Sequence, residues 1–458
     1  MTFAAAVKIP TNRRAAGSSG TLYAWYVTCV LTVAYFTSYI DRIILSLLVE
    51  PIKRDLGASD TAMSLLLGLA FAVFYAVLGI PIARWADHAS RKWIIAAGIF
   101  LWSITTAMTG LARTYGEVFI ARVGVGVGEA ALTPAAYSML SDQFPPISLS
   151  RPMSLYHMGA ILGIGTAFVI GGAVAQFARL TSALTLPVLG TIHTWQLAFI
   201  IVGFPGLAIA LLVALTVAEP ARTGARILGG ASWRACLRFV FERRRAYSAL
   251  ILGPAICGTF AFGAMSWMPT YLIRVHRLPP GRAGLWFGAA VIVSNVGGFL
   301  ASPWLAEWLR RRGHADAFVR ATAYAFCAAI APIVIALQLD SAVACLTWWS
   351  IGMFFCSMPF VLCPTAIQLI TPNELRATVS SFYLLVTSFV GMAAGPTLVA
   401  LISEHYFHSP LALGKALTVL GLVALPAAAM ICASQRGAFA AALEAKGNRP
   451  LQELAATS

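Results

Sequence analysis

Residues 195–217 read WQLAFIIVGFPGLAIALLVALTV and contain no charged side chain. As an α-helix that rises 1.5 Å per residue, this run is long enough to cross the roughly 30 Å hydrocarbon core of a bilayer. Eleven other runs have a similar length and apolar character. The twelve candidate spans cover residues 24–49, 61–83, 93–112, 117–141, 153–178, 195–217, 247–273, 284–308, 317–337, 341–369, 377–403 and 411–432. The sequence therefore predicts an all-α membrane protein with twelve transmembrane helices.

The composition supports a membrane protein and argues against a nucleic-acid-binding protein. Of the 458 residues, 59% are hydrophobic and 11% are charged, whereas soluble domains carry about 25% charged residues. The net charge of +15 could in principle serve nucleic-acid binding. However, the basic residues occur in short clusters between apolar runs, which is typical of membrane orientation signals.

The distribution of Lys and Arg predicts the orientation in the membrane. If the N-terminus is cytoplasmic, 22 of the 32 Lys and Arg residues fall in cytoplasmic segments and 8 in external loops. Cytoplasmic segments carry such an excess in membrane proteins. We therefore expect a multi-pass protein of the inner (plasma) membrane, monomeric, with both termini in the cytoplasm.

The chain is predicted to contain two related halves. The longest internal polar stretch separates six spans from six, and four residue pairs match at an offset of 220 positions: Gly68 and Gly288, Asp87 and Glu307, Arg91 and Arg311, Lys92 and Arg312. The predicted organisation is a cytoplasmic tail at 1–23, a six-helix bundle at 24–217, a cytoplasmic linker at 218–246, a second six-helix bundle at 247–433 and a cytoplasmic tail at 434–458. Transporters are commonly built from such repeats, with the substrate held between them near the bilayer midplane.

The loop after the second span resembles a signature of the major facilitator superfamily. It reads GIPIARWADHASRK (79–92), in which Asp87 is followed four positions later by a basic pair that begins at Arg91. Arg84 replaces the usual glycine and His88 the usual basic residue. In the family this loop latches the two halves together on the cytoplasmic side. The resemblance therefore implies that Asp87 and Arg91 are cytoplasmic gate residues, although a simple orientation signal would also explain the charges.

Two further motifs resemble the Spinster branch of that superfamily. Span 1 contains SYIDR (38–42), and span 4 contains RVGVGVGEA (122–130). Members of that branch move lysophospholipids and sphingosine-1-phosphate. The resemblance implies that this chain is a bacterial homologue of these transporters, with lysolipids or related amphipathic molecules as its substrates.

Four ionisable residues lie inside the predicted spans of the first half: Asp41, Arg42, Arg122 and Glu129. A charged side chain at mid-membrane costs at least ~2.5–3.5 kcal/mol, so these positions are candidates for function. Asp41 lies at a depth between the two charges of span 4. We interpret the four residues as a cluster at a hydrated cavity, with Asp41 and Glu129 as coupled proton sites and with Arg42 and Arg122 as substrate-binding residues. A static ion-pair network that only fixes helix packing is the alternative interpretation.

The spans of the second half are poorer in charge. Four of its stretches, 247–272, 286–306, 341–369 and 377–403, contain no charged residue. We predict that Tyr271, Phe354 and Met358 contribute an apolar, substrate-binding wall to the cavity. A cavity that is charged on one side and apolar on the other suits an amphipath with an ionic head and an acyl tail.

The sequence thus predicts a proton-coupled secondary transporter of lysolipids or similar amphipathic anions or zwitterions, working by alternating access. Its expected partners are membrane lipids, a small amphipathic substrate and protons, with no metal and no cofactor. A proton-coupled multidrug exporter or organic-anion transporter of the same superfamily is the alternative. An enzyme is not expected, because the sequence lacks GxSxG, HExxH and Gly-rich phosphate-loop motifs. His157 could relay protons, but an interfacial or helix-capping role also fits it.

Overall fold

The computed structural model describes residues 18–145, 150–180, 183–186, 190–222, 233–372 and 375–445. Within these ranges, twelve helical segments are long and apolar enough to cross a membrane, and each coincides with one predicted run. Numbered in chain order, spans 1 to 12 are Thr21–Leu47, Asp60–Ala86, Arg91–Thr109, Tyr115–Gln143, Arg151–Phe177, Thr194–Thr216, Arg244–Arg274, Pro280–Arg311, Ala317–Ala336, Ala342–Ile370, Thr378–Tyr406 and Pro410–Ser434. The predicted fold class is confirmed.

Several spans consist of more than one helix. Span 1 is an α-helix (Ser18–Ile43) followed by a 3₁₀ turn (Ile44–Leu47), and span 12 is a 3₁₀ turn (Pro410–Ala412) followed by an α-helix (Leu413–Ser434). Span 2 comprises Asp60–Leu67 and Leu69–His88, span 4 Tyr115–Glu129 and Leu132–Gln143, and span 10 Ala342–Ser357 and Pro359–Ile370. Span 11 comprises α-helices Arg376–Phe389 and Gly395–Leu401 with π turns Val390–Ala394 and Ile402–Tyr406. The α-helix of span 5 is Ser150–Leu180. Two short helices, Val49–Leu56 and Trp233–Glu242, and a hairpin of strands Ala183–Leu186 and Gly190–His193 lie between spans.

The first six spans form one bundle and the last six form a second, as in the predicted fold. Parts of the predicted tails and linker, residues 1–17, 223–232 and 446–458, lie outside the described residues. We call the face at which span 1 begins and span 12 ends the terminal face, and the opposite face the distal face.

The contacts between the bundles repeat the predicted internal symmetry. A Cβ atom on Gly68 of span 2 would clash with the carbonyl oxygen of Met392 in span 11. A Cβ on Gly288, its repeat counterpart in span 8, would lie 3.0 Å from the carbonyl oxygen of Gly165 in span 5. Span 2 therefore packs on span 11 as span 8 packs on span 5, which is the exchange that a two-fold relation between the halves requires. Small residues at such crossings let helix backbones approach closely.

The bundles share a hydrophobic core toward the distal face. Leu47 and Phe168 of the first half belong to the same cluster of buried residues as Ala283 and Phe287 of the second. The rings of Phe168 and Phe287 are 4.8 Å apart and nearly perpendicular. Toward the terminal face, the first half has a separate core, to which the second half contributes Met392 and a few neighbours. The halves are thus joined most extensively at their distal ends.

Candidate transport site

The four charged residues predicted to cluster do lie together, where span 1 crosses span 4. Asp41 is 0% exposed, Arg122 1% and Glu129 2%. Arg42 forms a direct ion pair with Oε2 of Glu129, and the Ser38 hydroxyl donates to the same oxygen at 2.7 Å. A charge pair in this position satisfies two groups that would each be costly to bury alone.

The glycines of span 4 explain how Glu129 reaches this position. A Cβ atom on Gly126 would lie 2.7 Å from the carbonyl oxygen of Phe71 in span 2, and one on Gly128 would lie 2.7 Å from the carbonyl oxygen of Gly98 in span 3. The backbone of span 4 therefore touches both neighbouring backbones. The glycine run thereby places Glu129 beside span 1.

Aromatic rings surround the Arg42 guanidinium. Its central carbon lies 4.6 Å from the ring centroid of Tyr39, 4.4 Å from that of Phe71 and 5.2 Å from that of Tyr75. Rings at these distances attract a cation through their negative faces. The rings and Glu129 together hold a side chain that is 10% exposed at the edge of the central cavity.

Arg122 has a different role from the one predicted. It is buried and donates to the carbonyl oxygens of Asp41 at 3.1 Å and Arg42 at 3.4 Å. The α-helix of span 1 ends at Ile43, so these carbonyls are among the last four, which lack partners within the α-helix. We therefore remove Arg122 from the predicted substrate contacts, because its guanidinium fixes the end of the helix instead of facing the cavity.

Asp41 is the least satisfied member of the cluster. Both of its carboxyl oxygens are buried, and neither has a hydrogen-bond partner within the described part of the chain. Its electrostatic neighbours are Glu129 and Arg122, and the hydroxyl of Thr106 in span 3 is a potential hydrogen-bond donor to it. Buried polar groups are normally hydrogen-bonded, so an exception calls for a functional explanation.

A small cavity of about 40 Å³ lies between the two halves beside Arg42. The first half lines it with Tyr39, Arg42, Ile43, Ser46 and Leu67, and the second with Phe262, Met265, Ser266, Met392 and Pro396. A volume of about 10–15 Å³ on this measure already holds one water molecule. The cavity therefore has room for a few waters but not for a lipid.

Comparison with known proteins decides the family. Residues 31–396 match the sequence profile of the Major Facilitator Superfamily. The chain belongs to that superfamily. Its fold and its relatives are those of transporters, which confirms that it is not an enzyme.

Individual relatives place this superfamily member near the Spinster proteins. It is 24% identical over 392 residues to the sphingosine-1-phosphate transporter SPNS2 of Xenopus tropicalis, covering 82% of this chain and 73% of that protein. It is 28% identical over 416 residues to an MFS-type efflux pump of Mycolicibacterium smegmatis (strain ATCC 700084 / mc(2)155), covering 89% and 91%. A crystal structure of a bacterial homologue of the human lysosomal transporter Spinster, inward-facing and unoccupied, superposes with a TM-score of 0.75. Its sequence is 28% identical, and the match covers 92% of this chain and 97% of that one. The predicted resemblance is confirmed.

Two of the residues predicted to form an apolar wall lie away from the central cavity. Tyr271 is 3% exposed; its ring packs against Gly414, and its hydroxyl donates to the carbonyl oxygen of Leu337 at 3.4 Å. Phe354 packs its ring against Gly297 of span 8. Both serve packing inside the second half, and apolar composition alone could not separate such residues from those that line a cavity.

Met358 also belongs to the core of the second half, where it is 3% exposed beside Leu309 and Leu362. The apolar wall consists instead of Phe262 and Met265 of span 7 and Met392 of span 11. The glycines of these two spans are the signal that sequence reasoning missed. Gly258 packs on Gly391 and Gly263 on Gly395, which brings spans 7 and 11 together at the cavity.

The predicted gate residue Arg91 joins three spans of the first half. Its guanidinium donates to Glu219 at 2.7 Å, Asp142 at 2.5 Å, Ser138 at 2.8 Å and the carbonyl oxygen of Pro220 at 3.1 Å. These partners lie in span 4 and just beyond span 6, so within the described part of the chain the hydrogen bonds of Arg91 do not connect the two bundles. The side chain of Asp87, the other predicted gate residue, lies outside the described residues.

Glu219 completes the Arg91 network just beyond span 6. Burial raises the pKa of its carboxyl, but hydrogen bonds from the Lys92 backbone N–H, Arg91 and Ser90 outweigh burial and lower the pKa below its ordinary value. Glu219 is therefore ionised throughout the neutral range. In the repeat, Arg311, the counterpart of Arg91, is exposed and pairs instead with Glu307 on its own helix.

A charged network at the distal face does join the halves, and sequence analysis did not predict it. Arg274 at the end of span 7 donates to both carboxylate oxygens of Asp60 at 2.6 and 2.8 Å, and to Glu50 at 2.5 Å. Lys53 also pairs with Asp60 at 2.6 Å. We call Glu50, Lys53, Asp60, Arg274 and Glu404 the distal network.

Glu404 supplies the second bridge of that network. From the end of span 11, its carboxylate accepts from the backbone N–H groups of Asp60 and Thr61, at 2.5 and 3.0 Å, and from the Thr61 hydroxyl at 2.6 Å. A carboxylate is favourable there, because the first N–H groups of a helix lack partners within the helix. The distal network closes that face of the molecule.

Proposed function

We propose that this superfamily member is a proton-coupled transporter that moves lysolipids, or related amphipathic anions and zwitterions, by alternating access. The observation that carries the proposal is the position of the buried cluster. Arg42 and Glu129 form an ion pair at the edge of a cavity between the halves, and the buried carboxyl of Asp41 beside them accepts no hydrogen bond from any residue that the structure describes.

The argument for proton coupling starts from Asp41. A buried carboxylate without partners is costly, whereas the neutral acid is less so. If the halves separate and water reaches the cluster, that cost falls and the proton can leave. Glu129 is an electrostatic neighbour of Asp41, so a proton on one carboxyl group changes the electrostatic cost of a charge on the other. Occupancy of the pair by a proton therefore depends on which conformation the protein adopts.

The argument for an amphipathic substrate rests on the two walls of the cavity. Arg42 and Ser46 provide a cationic and polar wall. The opposite wall, Phe262, Met265 and Met392, is apolar, and its flexible methionine side chains can adapt to different apolar groups. An anionic or zwitterionic head fits the first and an acyl chain the second. A relative named as a sphingosine-1-phosphate transporter supports the same class of substrate.

We assign the terminal face to the cytoplasm, because most Lys and Arg residues belong to that side. The distal network then closes the external side of the plasma membrane, and the substrate would exchange with the cytoplasm when the terminal ends of the bundles separate. Asp87 stays a predicted gate residue at that end.

Reconstitution tests the proposal directly. Proteoliposomes carrying the wild-type protein should move a labelled lysolipid, and a gradient of one pH unit should drive accumulation of up to about tenfold per coupled proton. When a protonophore dissipates the pH gradient, only exchange of lysolipid across the membrane should remain, without accumulation. Protein-free liposomes give the background rate of lysolipid movement. Lysolipid flux that does not change with the pH gradient would contradict proton coupling. The absence of any lysolipid flux would contradict the proposed substrate class.

A second candidate function is proton-coupled efflux of drugs or organic anions. The relative from Mycolicibacterium smegmatis, named as an efflux pump and similar over most of both chains, favours it. Expression that protects cells against toxic hydrophobic compounds, together with proteoliposomes that do not move lysolipids, would select this candidate.

A further inference from the structure

One face of span 4 continues the polar character of the charge cluster toward the terminal face. Glu129, Thr133 and Tyr137 follow one another at four-residue intervals, so their side chains lie on one side of the span. The distance from the first to the last is about 12 Å along the axis. Glu129 is buried, whereas Thr133 and Tyr137 are partly exposed.

At the end of this row of side chains that is nearer to the terminal face, Tyr137 contacts His157 of span 5. The Tyr137 hydroxyl and the histidine Nε2 are 2.8 Å apart, and the His157 side chain is exposed. Three titratable rings face the imidazole: Tyr35 of span 1 with centroids 6.4 Å apart, Tyr137 of span 4 at 5.6 Å, and Tyr156 of span 5 itself at 5.8 Å. His157 is therefore neither a helix cap nor an isolated surface residue.

Between the two ends lie further hydroxyl groups. The Tyr156 hydroxyl is 3.2 Å from that of Thr133, although the tyrosine is fully buried. Tyr75 of span 2 has Thr133 as a hydrogen-bonding neighbour and Arg42 and Glu129 as electrostatic neighbours. At the other end of the row, next to the charge cluster, Oε1 of Glu129 is buried without a hydrogen-bond partner among the described residues. We call Tyr75, Thr133, Tyr137, Tyr156 and His157 the hydroxyl chain.

We propose that the hydroxyl chain, with water between its hydrogen-bonded pairs, conducts protons between the terminal face and the carboxyl pair. The inference rests on the proposed proton coupling and adds the route. A proton from solvent binds the His157 imidazole. Each hydroxyl then accepts one proton and passes on its own, and Oε1 of Glu129 receives the last, so that the chain itself is unchanged after transfer. The imidazole is suited to the first step because its side chain is exposed and its Nε2 lies 2.8 Å from the Tyr137 hydroxyl.

The structure explains why such a route is needed. Glu129 is 2% exposed and Asp41 0%, so bulk water does not reach either carboxyl group in this state. The alternative is that these hydroxyls only satisfy one another within the bundle. The two explanations differ in whether removing a hydroxyl slows proton movement while leaving substrate movement intact.

The experiment measures both quantities in the same proteoliposomes. A pH-sensitive dye trapped inside reports lysolipid-driven proton flux, and counterflow of labelled against unlabelled lysolipid reports carrier movement without net proton transfer. Thr133→Val, Tyr137→Phe and His157→Gln each remove a proton-carrying group with little change in shape. We expect proton flux to fall about tenfold or more, as for the loss of a proton-transfer group, with counterflow within about twofold of wild type.

Matched controls come from the second half. Tyr383→Phe removes a hydroxyl from a buried tyrosine, and Thr365→Val removes one from an exposed threonine. Neither control variant should change the proton flux or the rate of lysolipid counterflow. If wild-type protein moves lysolipid without proton flux, the proposed coupling itself is wrong. If wild-type flux is present but the three variants match it, or if they slow counterflow equally, the hydroxyl chain is a packing feature and not a route.

Discussion

Arg42 takes part in two kinds of contact, an ion pair with Glu129 and close packing against the rings of Tyr39 and Phe71. The pair is buried, so the charge on each partner is compensated mainly by the other. Removing one partner leaves a buried charge, whereas removing both leaves polar but neutral groups. Stability should therefore depend on whether the charges are matched, and not only on how many contacts remain.

The first prediction follows from this dependence. Arg42→Gln should destabilise the protein by about 3–5 kcal/mol, the usual effect of breaking a buried pair. Arg42→Gln combined with Glu129→Gln should recover a large part of that loss. Thermal unfolding of the purified protein in detergent measures both. A double variant no more stable than the single Arg42→Gln variant would show that the ion pair is not what holds these side chains.

Asp41 provides the second prediction. Asp41→Asn keeps the shape of the side chain but cannot take up or release a proton. We expect the variant to retain lysolipid counterflow and to lose the response of accumulation to a pH gradient. Asp340→Asn, an exposed change near the distal face, is the control. An Asp41→Asn protein that still concentrates substrate against a gradient would remove the assigned proton role.

At this scale the sequence predicted which residues meet, but not what each one does. Four charged residues in apolar runs were predicted to cluster, and they lie together in the structure. That Arg122 caps the carbonyls of span 1 could not be predicted, because it depends on the helix ending at Ile43. Tyr271 and Met358 were misassigned because their packing direction is set by neighbouring helices.

Span 4 shows how an element positions the site. Its glycines face spans 2 and 3, and the α-helix ends at Glu129 before it resumes at Leu132. The break, together with the π turns of span 11, was not predicted, since hydropathy identifies a span without showing where its hydrogen bonding changes. The glycine spacing was visible in the sequence, but the neighbouring backbones that these glycines approach were not.

The third prediction tests this packing. Gly126→Val would place a side chain 2.7 Å from the backbone of Phe71, so we expect a loss of at least about 1–3 kcal/mol in stability, as for overpacking, and little transport. Gly116→Val on the same helix is the control, because a Cβ there has nothing within 4 Å. Equal thermal stability of the two variants would contradict the close approach of spans 2 and 4.

The fourth prediction concerns the connection between spans 3, 4 and 6. Folding lowers the pKa of the Glu219 carboxyl, so the ionised carboxylate stabilises the folded state. This stabilisation is complete above the ordinary pKa of glutamate, and it is lost as the pH falls through the lower pKa of the folded state. Glu219→Gln should therefore lower the melting temperature at pH 7 and flatten its decline in acid. Glu444→Gln, an exposed change, should do neither. Parallel acid profiles for wild type and Glu219→Gln would refute the assignment.

At the scale of the whole molecule, the distal network is a charged connection between the two halves, and we expect it to favour conformations that are closed at the distal face. Arg274 is its main link across the halves, so Arg274→Gln should shift the population toward states open at the distal face by about tenfold, within the usual range of conformational coupling. Cysteines introduced at distal positions lining the closed region should then react faster with a membrane-impermeant reagent. Arg282→Gln, an exposed change nearby, is the control. Unchanged labelling in Arg274→Gln would mean that the apolar core alone keeps this face closed.

The network escaped sequence analysis for a physical reason. Glu50 and Asp60 lie at the connection between spans 1 and 2, where charges are expected, and their shared partner Arg274 is more than 200 residues away in the second half. Only the docking of the two bundles reveals the pairing. The fold class and the repeat, by contrast, depend on local hydropathy and spacing, which the sequence carries directly.

The glycine crossings between the bundles have a mechanical consequence. Gly68 of span 2 rests on the backbone of span 11, and Gly288 of span 8 on that of span 5. At both crossings the atom nearest to the glycine is a backbone carbonyl oxygen of the other bundle, with the side chains of Pro396 and Phe168 beside it. A larger residue at either glycine would have to displace that backbone, so we expect it to disturb the docking of the two bundles, and with it turnover, without altering a residue that lines the cavity.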